Sequence, residues 1–216
     1  MENIINKTDQ INQVIRRARD IVIMPSKVAG IDSFAAGVGL YRALKKQGKN
    51  VTLVYPGLAP EEFGSVEGLE IISNTGKRDL LVSVDYSGTE ASKVNYSTTD
   101  DVLHFSIGPV DKDFDLSRVK AEVRGLNFDL IITIGVQYPE DLGRSFADIT
   151  GEFRKVEVIN IDNTEKNQRF GDINIVNPSV ESLSLLTLNT LASCELNIDS
   201  EAAEALLKGV SKRKGI

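Results

Sequence analysis

The chain has one cysteine, Cys194, one histidine, His104, and no tryptophan among its 216 residues. A single thiol excludes an internal disulfide and fits a reducing compartment, so a cytoplasmic location is expected. With one histidine, Cys194 has no catalytic partner to suggest a nucleophilic role, and buried packing is its default reading. No apolar run approaches the ~20 residues needed to span a bilayer, and the polar first residues lack a signal-peptide core. Positive charge is also in short supply, with 25 Lys and Arg against 31 Asp and Glu, a net charge of -6. That excludes a general electrostatic pull toward nucleic acid or an anionic membrane, so a nucleotide would need a local site.

What remains is an ordinary globular composition, 41% hydrophobic and 26% charged, with enough apolar residues for a sizeable core. Residues 8–18 read as an amphipathic helix, with Ile11, Val14, Ile15 and Ala18 on one face. Residues 21–24 read as a short buried strand, 32–47 as a helix stopped by Gly48, and 51–55 as the next strand. This strand-helix-strand unit predicts parallel pairing. Aliphatic stretches at 80–84, 130–134 and 156–161 read as further strands covered on both faces. Residues 93–96 and 102–107 flank Ser97 to Asp101 as a hairpin, and helices are expected over 116–123, 141–153, 179–191 and 200–208. The fold class is α/β, a mainly parallel sheet with helices on both faces.

Residues 21–54 and 158–186, with a tail over 198–210 that carries Leu206, Leu207 and Gly209, resemble the first, third and following motifs of DHH-family phosphoesterases. The resemblance implies one DHH-like α/β domain over 1–216, with an inserted hairpin near 93–107 and without the family's C-terminal substrate-binding domain. Active members hold two manganese ions on a His-x-x-x-Asp-x-Asp motif, a middle-strand aspartate and an Asp-His-His motif. Carboxylates and imidazoles suit hard divalent cations, and two ions clamp the attacking and leaving oxygens of a phosphodiester.

Carried over by position, the first motif's histidine falls on Ser26, its first aspartate on Gly30 and its second on Asp32. The third motif's aspartate falls on Asp162 and its two histidines on Asn163 and Thr164. The middle ligand is Asp85 if the strand is 80–84, or is lost at Gly135 if it is 130–134, which the spacing to the third motif favours. No imidazole survives, and one divalent ion usually needs about six donors. The resemblance therefore implies no metal and no cofactor, with Mn2+ only if a residual site survives.

Each residue has a plainer reading. Asp32 fits the cap of its own helix, Asp162 a turn, and His104 a strand surface. Ser26 and Lys27 precede a helix N-terminus, which suits an anion. With Asn163, Thr164 and Asn167 they form the expected ligand-binding set, and Lys166 and Arg169 read as surface charges. The expected function is a phosphoesterase-like binding or interaction module without two-metal catalysis. The alternatives are an active phosphoesterase on nucleotides or short oligonucleotides with a reduced metal site, and a purely structural subunit. Expected partners are a nucleotide or phosphate, a protein or a second copy, but not a membrane.

Overall fold

Strands whose side chains alternate between two apolar faces dictate the layers of this protein. The computed structural model describes residues 2–56, 58–63, 71–72, 79–88, 93–110, 112–125 and 127–213. In chain order the elements are α1 (Glu2–Arg17), β1 (Asp20–Pro25), α2 (Gly30–Lys46), β2 (Asn50–Val54), β3 (Ile71–Ile72), β4 (Asp79–Val84), β5 (Lys93–Thr99) and β6 (Val102–Gly108). After these come β7 (Val119–Arg124), β8 (Leu130–Ile134), α3 (Arg144–Phe153), β9 (Glu157–Asp162), β10 (Ile173–Val176), α4 (Leu183–Ser193) and α5 (Ser200–Arg213). The chain divides into a main unit, 1–77 with 126–216, and an inserted unit, 78–125.

In the main unit six strands run in the order β10-β9-β8-β1-β2-β3. Every pairing in this sheet is parallel. Ile21 and Ile23 of β1 and Leu130, Ile132 and Ile134 of β8 face the larger core, with side chains from α1, α2, α4 and α5. Val22, Met24, Ile131 and Val158, one residue out of phase, face a second core with Ile149 of α3. The expected α/β class with helices on both faces is therefore the observed one. Among the described residues no helix is long and apolar enough to cross a membrane.

The chain reverses direction across the sheet at β1. It moves outward through α2 to β2, then returns to build β8, β9 and β10 on the other side. The carboxyl ends of β1 and β8 thus flank a switch point, where open α/β sheets usually hold ligands.

The inserted unit corrects two expectations. Residues 79–84 do not join the parallel sheet but pair antiparallel with β7. Residues 116–123 are not a helix: a 3-10 turn over Leu116–Arg118 leads directly into β7. Residues 119–124 alternate apolar and polar with a period of two, and β4 and β7 each supply the other's ladder. The hairpin pairs β5 with β6 from Lys93↔Gly108 to Thr99↔Val102. The turn is therefore shorter than expected, with Asp100 and Asp101 at positive φ. Two strands also went unanticipated, β3 and β10.

Candidate functional site

The candidate site is the carboxyl edge of β1, β8 and β9. Hydrogen bonds continue the ladder one residue past the strands. Ser26 N–H donates to Ile134 O at 2.8 Å and Gly135 N–H to Ile161 O at 2.8 Å. Ser26, Gly135 and Asp162 are thereby brought to one edge.

Asp32 lies in the first turn of α2 and is buried, but it does not cap its own helix; the N-cap there is Ala29, with no side-chain bond. Its carboxylate instead caps α4. One oxygen accepts from Ser182 Oγ at 3.0 Å and from the Ser184 N–H at 2.9 Å, and the other from the Leu183 N–H at 2.8 Å. Free N–H groups and the positive end of the α4 dipole make this an anion's natural place. The Leu206-Leu207-Lys208-Gly209 stretch now has a packing reason. A Cβ on Gly209 would collide with Ser184 Oγ and lie 3.0 Å from Asp32 Oδ1, so only glycine lets α5 pass over this cap.

Gly135 sits at the switch point with φ +68°. A Cβ there would lie 2.7 Å from Leu183 Cδ1 and 2.9 Å from Ala29 Cβ. The first residue of α4 and the turn after β1 therefore fill the space that a side chain at position 135 would need.

Asp162, the last residue of β9, is also buried, and both of its oxygens accept hydrogen bonds. One oxygen accepts from the Asn163 N–H at 2.8 Å. The other accepts from Thr164 Oγ1 at 2.6 Å and from Asn167 Nδ2 at 2.7 Å. Asn167 Nδ2 also donates to Val136 O at 2.8 Å. Asn167 Oδ1 accepts from Asn160 Nδ2 at 2.9 Å, and Asn160 Oδ1 accepts from Thr133 Oγ1 at 3.0 Å. This buried chain of polar groups was missed from sequence. Its signal was there: Thr133 and Asn160 interrupt aliphatic strands at positions that pair directly. By strand alternation Asp162 and Asn160 share the α3 face with Val158. Asp32 lies instead in the layer of α2 and α4.

Asp85 belongs to the inserted unit, where its carboxylate accepts from the Ser87 N–H at 3.0 Å and from Ser87 Oγ at 2.6 Å and faces Arg118. The Ser87 bonds, helped by the Arg118 charge, hold its pKa well below the usual carboxylate value, at about 2. Ser26 is buried, its Oγ accepting from the Ala29 N–H at 3.4 Å. Asn163 Nδ2 donates to Val180 O at 2.9 Å. Among Ser26, Lys27, Asn163, Thr164 and Asn167, only Lys27 is exposed; Lys166 and Arg169 are exposed as well. His104 is exposed on β6, opposite Ser97. Cys194 is buried, and burial pushes its thiol up to about 11, which leaves it unreactive. Among the described residues no three His, Cys, Asp or Glu side chains form a group able to hold a metal ion.

The parallel sheet with its edge at β1, β8 and β9 is an architecture also found in solved structures. An exopolyphosphatase-related protein from Bacteroides fragilis superposes with a TM-score of 0.63 at 16% identity, over 97% of this chain and 50% of that one. The chain thus spans about half the length of that protein. RecJ from Thermus thermophilus in complex with Mn2+ has a TM-score of 0.43 at 13% identity, over 95% of this chain and 23% of that one. An exonuclease RecJ bound to manganese has a TM-score of 0.42 at 14% identity, over 95% and 42%. No protein-family model and no curated protein sequence matches the chain. The first superposition shows that the fold is shared with that exopolyphosphatase-related protein, at a distant 16% identity.

Proposed function

We propose that this chain keeps a DHH phosphoesterase-like fold, has given up two-metal hydrolysis and serves as a binding or interaction module in a reducing, cytoplasmic setting. The observation that carries this reading is the start of α4. Leu183 fills the switch point beside Gly135, and Asp32, the one aspartate kept from the first motif, is consumed in capping that helix.

The remaining donors do not fit a pair of divalent cations. Ser26, Asn163 and Thr164 stand where the resemblance places imidazoles, and Asp162 directs both oxygens at neighbouring N–H and O–H groups. Three of the roughly four lone-pair sites of the Asp162 carboxylate are already taken, which leaves about one for a cation. A nucleotide or phosphate would meet Lys27 as its one exposed partner within the expected set. This favours the interaction reading over the nucleotide-binding one. The test is hydrolysis of a chromogenic phosphodiester and of short oligonucleotides with manganese. The expected result is no turnover above buffer containing metal alone. Turnover that requires manganese and vanishes in Asp162→Ala would overturn the reading.

A further inference from the structure

Among its described residues the inserted unit buries none. Yet the strand register gathers its apolar residues. Pairing of β5 with β6 sets Val94 opposite Ile107, Tyr96 opposite Phe105 and Thr98 opposite Leu103. Because side chains alternate, these share one hairpin face, and Asn95, Ser97, His104 and Ser106 share the other. The second ribbon repeats the pattern, with Leu80 opposite Val123, Val82 opposite Ala121 and Val84 opposite Val119. Exposure on the hairpin face is 69% for Val94, 77% for Tyr96, 52% for Leu103 and 57% for Phe105. On the ribbon it is 65% for Leu80, 41% for Val82, 39% for Val119 and 61% for Val123. Two-stranded ribbons are marginal alone in water and keep open edges, so faces like these call for a cover.

We propose that a second copy of this chain covers them, making the inserted unit the seat of a homodimer. Charge does not oppose a second copy at the contact. No residue of either apolar face is charged, so neither face selects a basic or an acidic partner. Two chains of net charge -6 meet there without opposing like charges at the contact. A two-fold axis needs only a self-complementary patch, which an uncharged face of aromatic and aliphatic residues supplies. Area agrees. A fully buried aromatic side chain removes about 150–250 Å² from water. An aliphatic one, at 25 cal/mol per Å², removes roughly 100 Å². Scaled by these exposures, the hairpin face offers about 400 Å² and the ribbon about 200 Å². Two copies of the hairpin face alone would bury about 800 Å², no more than a crystal contact; adding both ribbons gives about 1,200 Å², the lower end of stable interfaces. The expected dimer is weak, of roughly micromolar affinity, and engages both ribbons of each chain. The inference is independent of whether the sheet edge is catalytic.

The test is sedimentation equilibrium of the full chain up to roughly 100 µM. It is run beside hydrogen exchange and two double variants, Tyr96→Asp with Phe105→Asp and, as control, Asn95→Asp with Ser106→Asp. Wild type and control are expected at twice the 23.6 kDa chain mass, with amide protection in β5 and β6 that grows with concentration. The apolar-face variant is expected at the single mass, with an unchanged thermal transition of the main unit. Wild type at the single mass throughout would overturn the proposal. So would β5 and β6 amides protected equally at every dilution, because the same chain would then cover the face. A control variant that dissociates as fully as the apolar-face one would do the same. Manganese binding by the main unit is expected to be identical in all three proteins, so a failed dimer leaves the functional reading standing.

Discussion

Asp32→Ala is expected to destabilise the fold by about 3–5 kcal/mol and to lower the melting temperature by roughly 10 °C. The substitution leaves the Ser182 hydroxyl and the Leu183 and Ser184 N–H groups without their acceptor in a buried place. Each buried donor left unpaired costs about 1–3 kcal/mol, and the favourable charge at the α4 N-terminus is lost as well. Asp32→Asn keeps an acceptor and most of the shape, so its expected cost is about 1–2 kcal/mol. A carboxylate reserved for a metal would behave oppositely, because removing an uncompensated buried charge relieves strain and stabilises the fold. Urea denaturation of wild type and both variants separates the cases. A change within about 0.5 kcal/mol for Asp32→Ala would contradict the capping role.

Restoring an acidic side chain to the middle strand should fail to restore a site. Gly135→Asp is expected to cost about 3–5 kcal/mol, and Gly135→Ala somewhat less. Two effects add. The backbone at φ +68° disfavours a side chain, and the new Cβ would press on Leu183 Cδ1 and Ala29 Cβ, at 2.7 and 2.9 Å. Such overpacking costs about 1–3 kcal/mol. Aspartate adds an unpaired carboxylate in an apolar crevice. The pair Gly135→Asp with Leu183→Ala should recover part of the loss, because removing the leucine side chain opens the crevice. If Gly135→Asp is as stable as wild type, Leu183 does not fill the switch point.

The parallel sheet was legible because β1, β2, β8 and β9 are short aliphatic runs separated by amphipathic helices, a pattern that few folds other than a doubly covered sheet can bury. The inserted unit was not. The Leu80-Leu81-Val82-Ser83-Val84 run is as aliphatic as β8, and only its partner, β7, decides that it forms a ribbon instead. Residues 116–123 carry both helical and alternating patterns, and tertiary pairing chose the second. Asp32 was legible as a capping aspartate but not as the cap of α4, because the helix it serves begins 150 residues further on, at Ser182. Local rules reach only a few residues along the chain. That serine, asparagine and threonine stand at Ser26, Asn163 and Thr164, where the resemblance implies imidazoles, could be read directly from the sequence. The filling of the crevice beside Gly135 by Leu183 could not, because it depends on packing between distant segments.

We propose that the sheet edge does not hold two divalent ions. Isothermal titration of the full chain with Mn2+ tests it most directly. The expected result is heat indistinguishable from dilution, or at most a single weak site, with Asp162→Ala giving the same trace as wild type. Two sites of micromolar or tighter affinity, lost in Asp162→Ala, would contradict it.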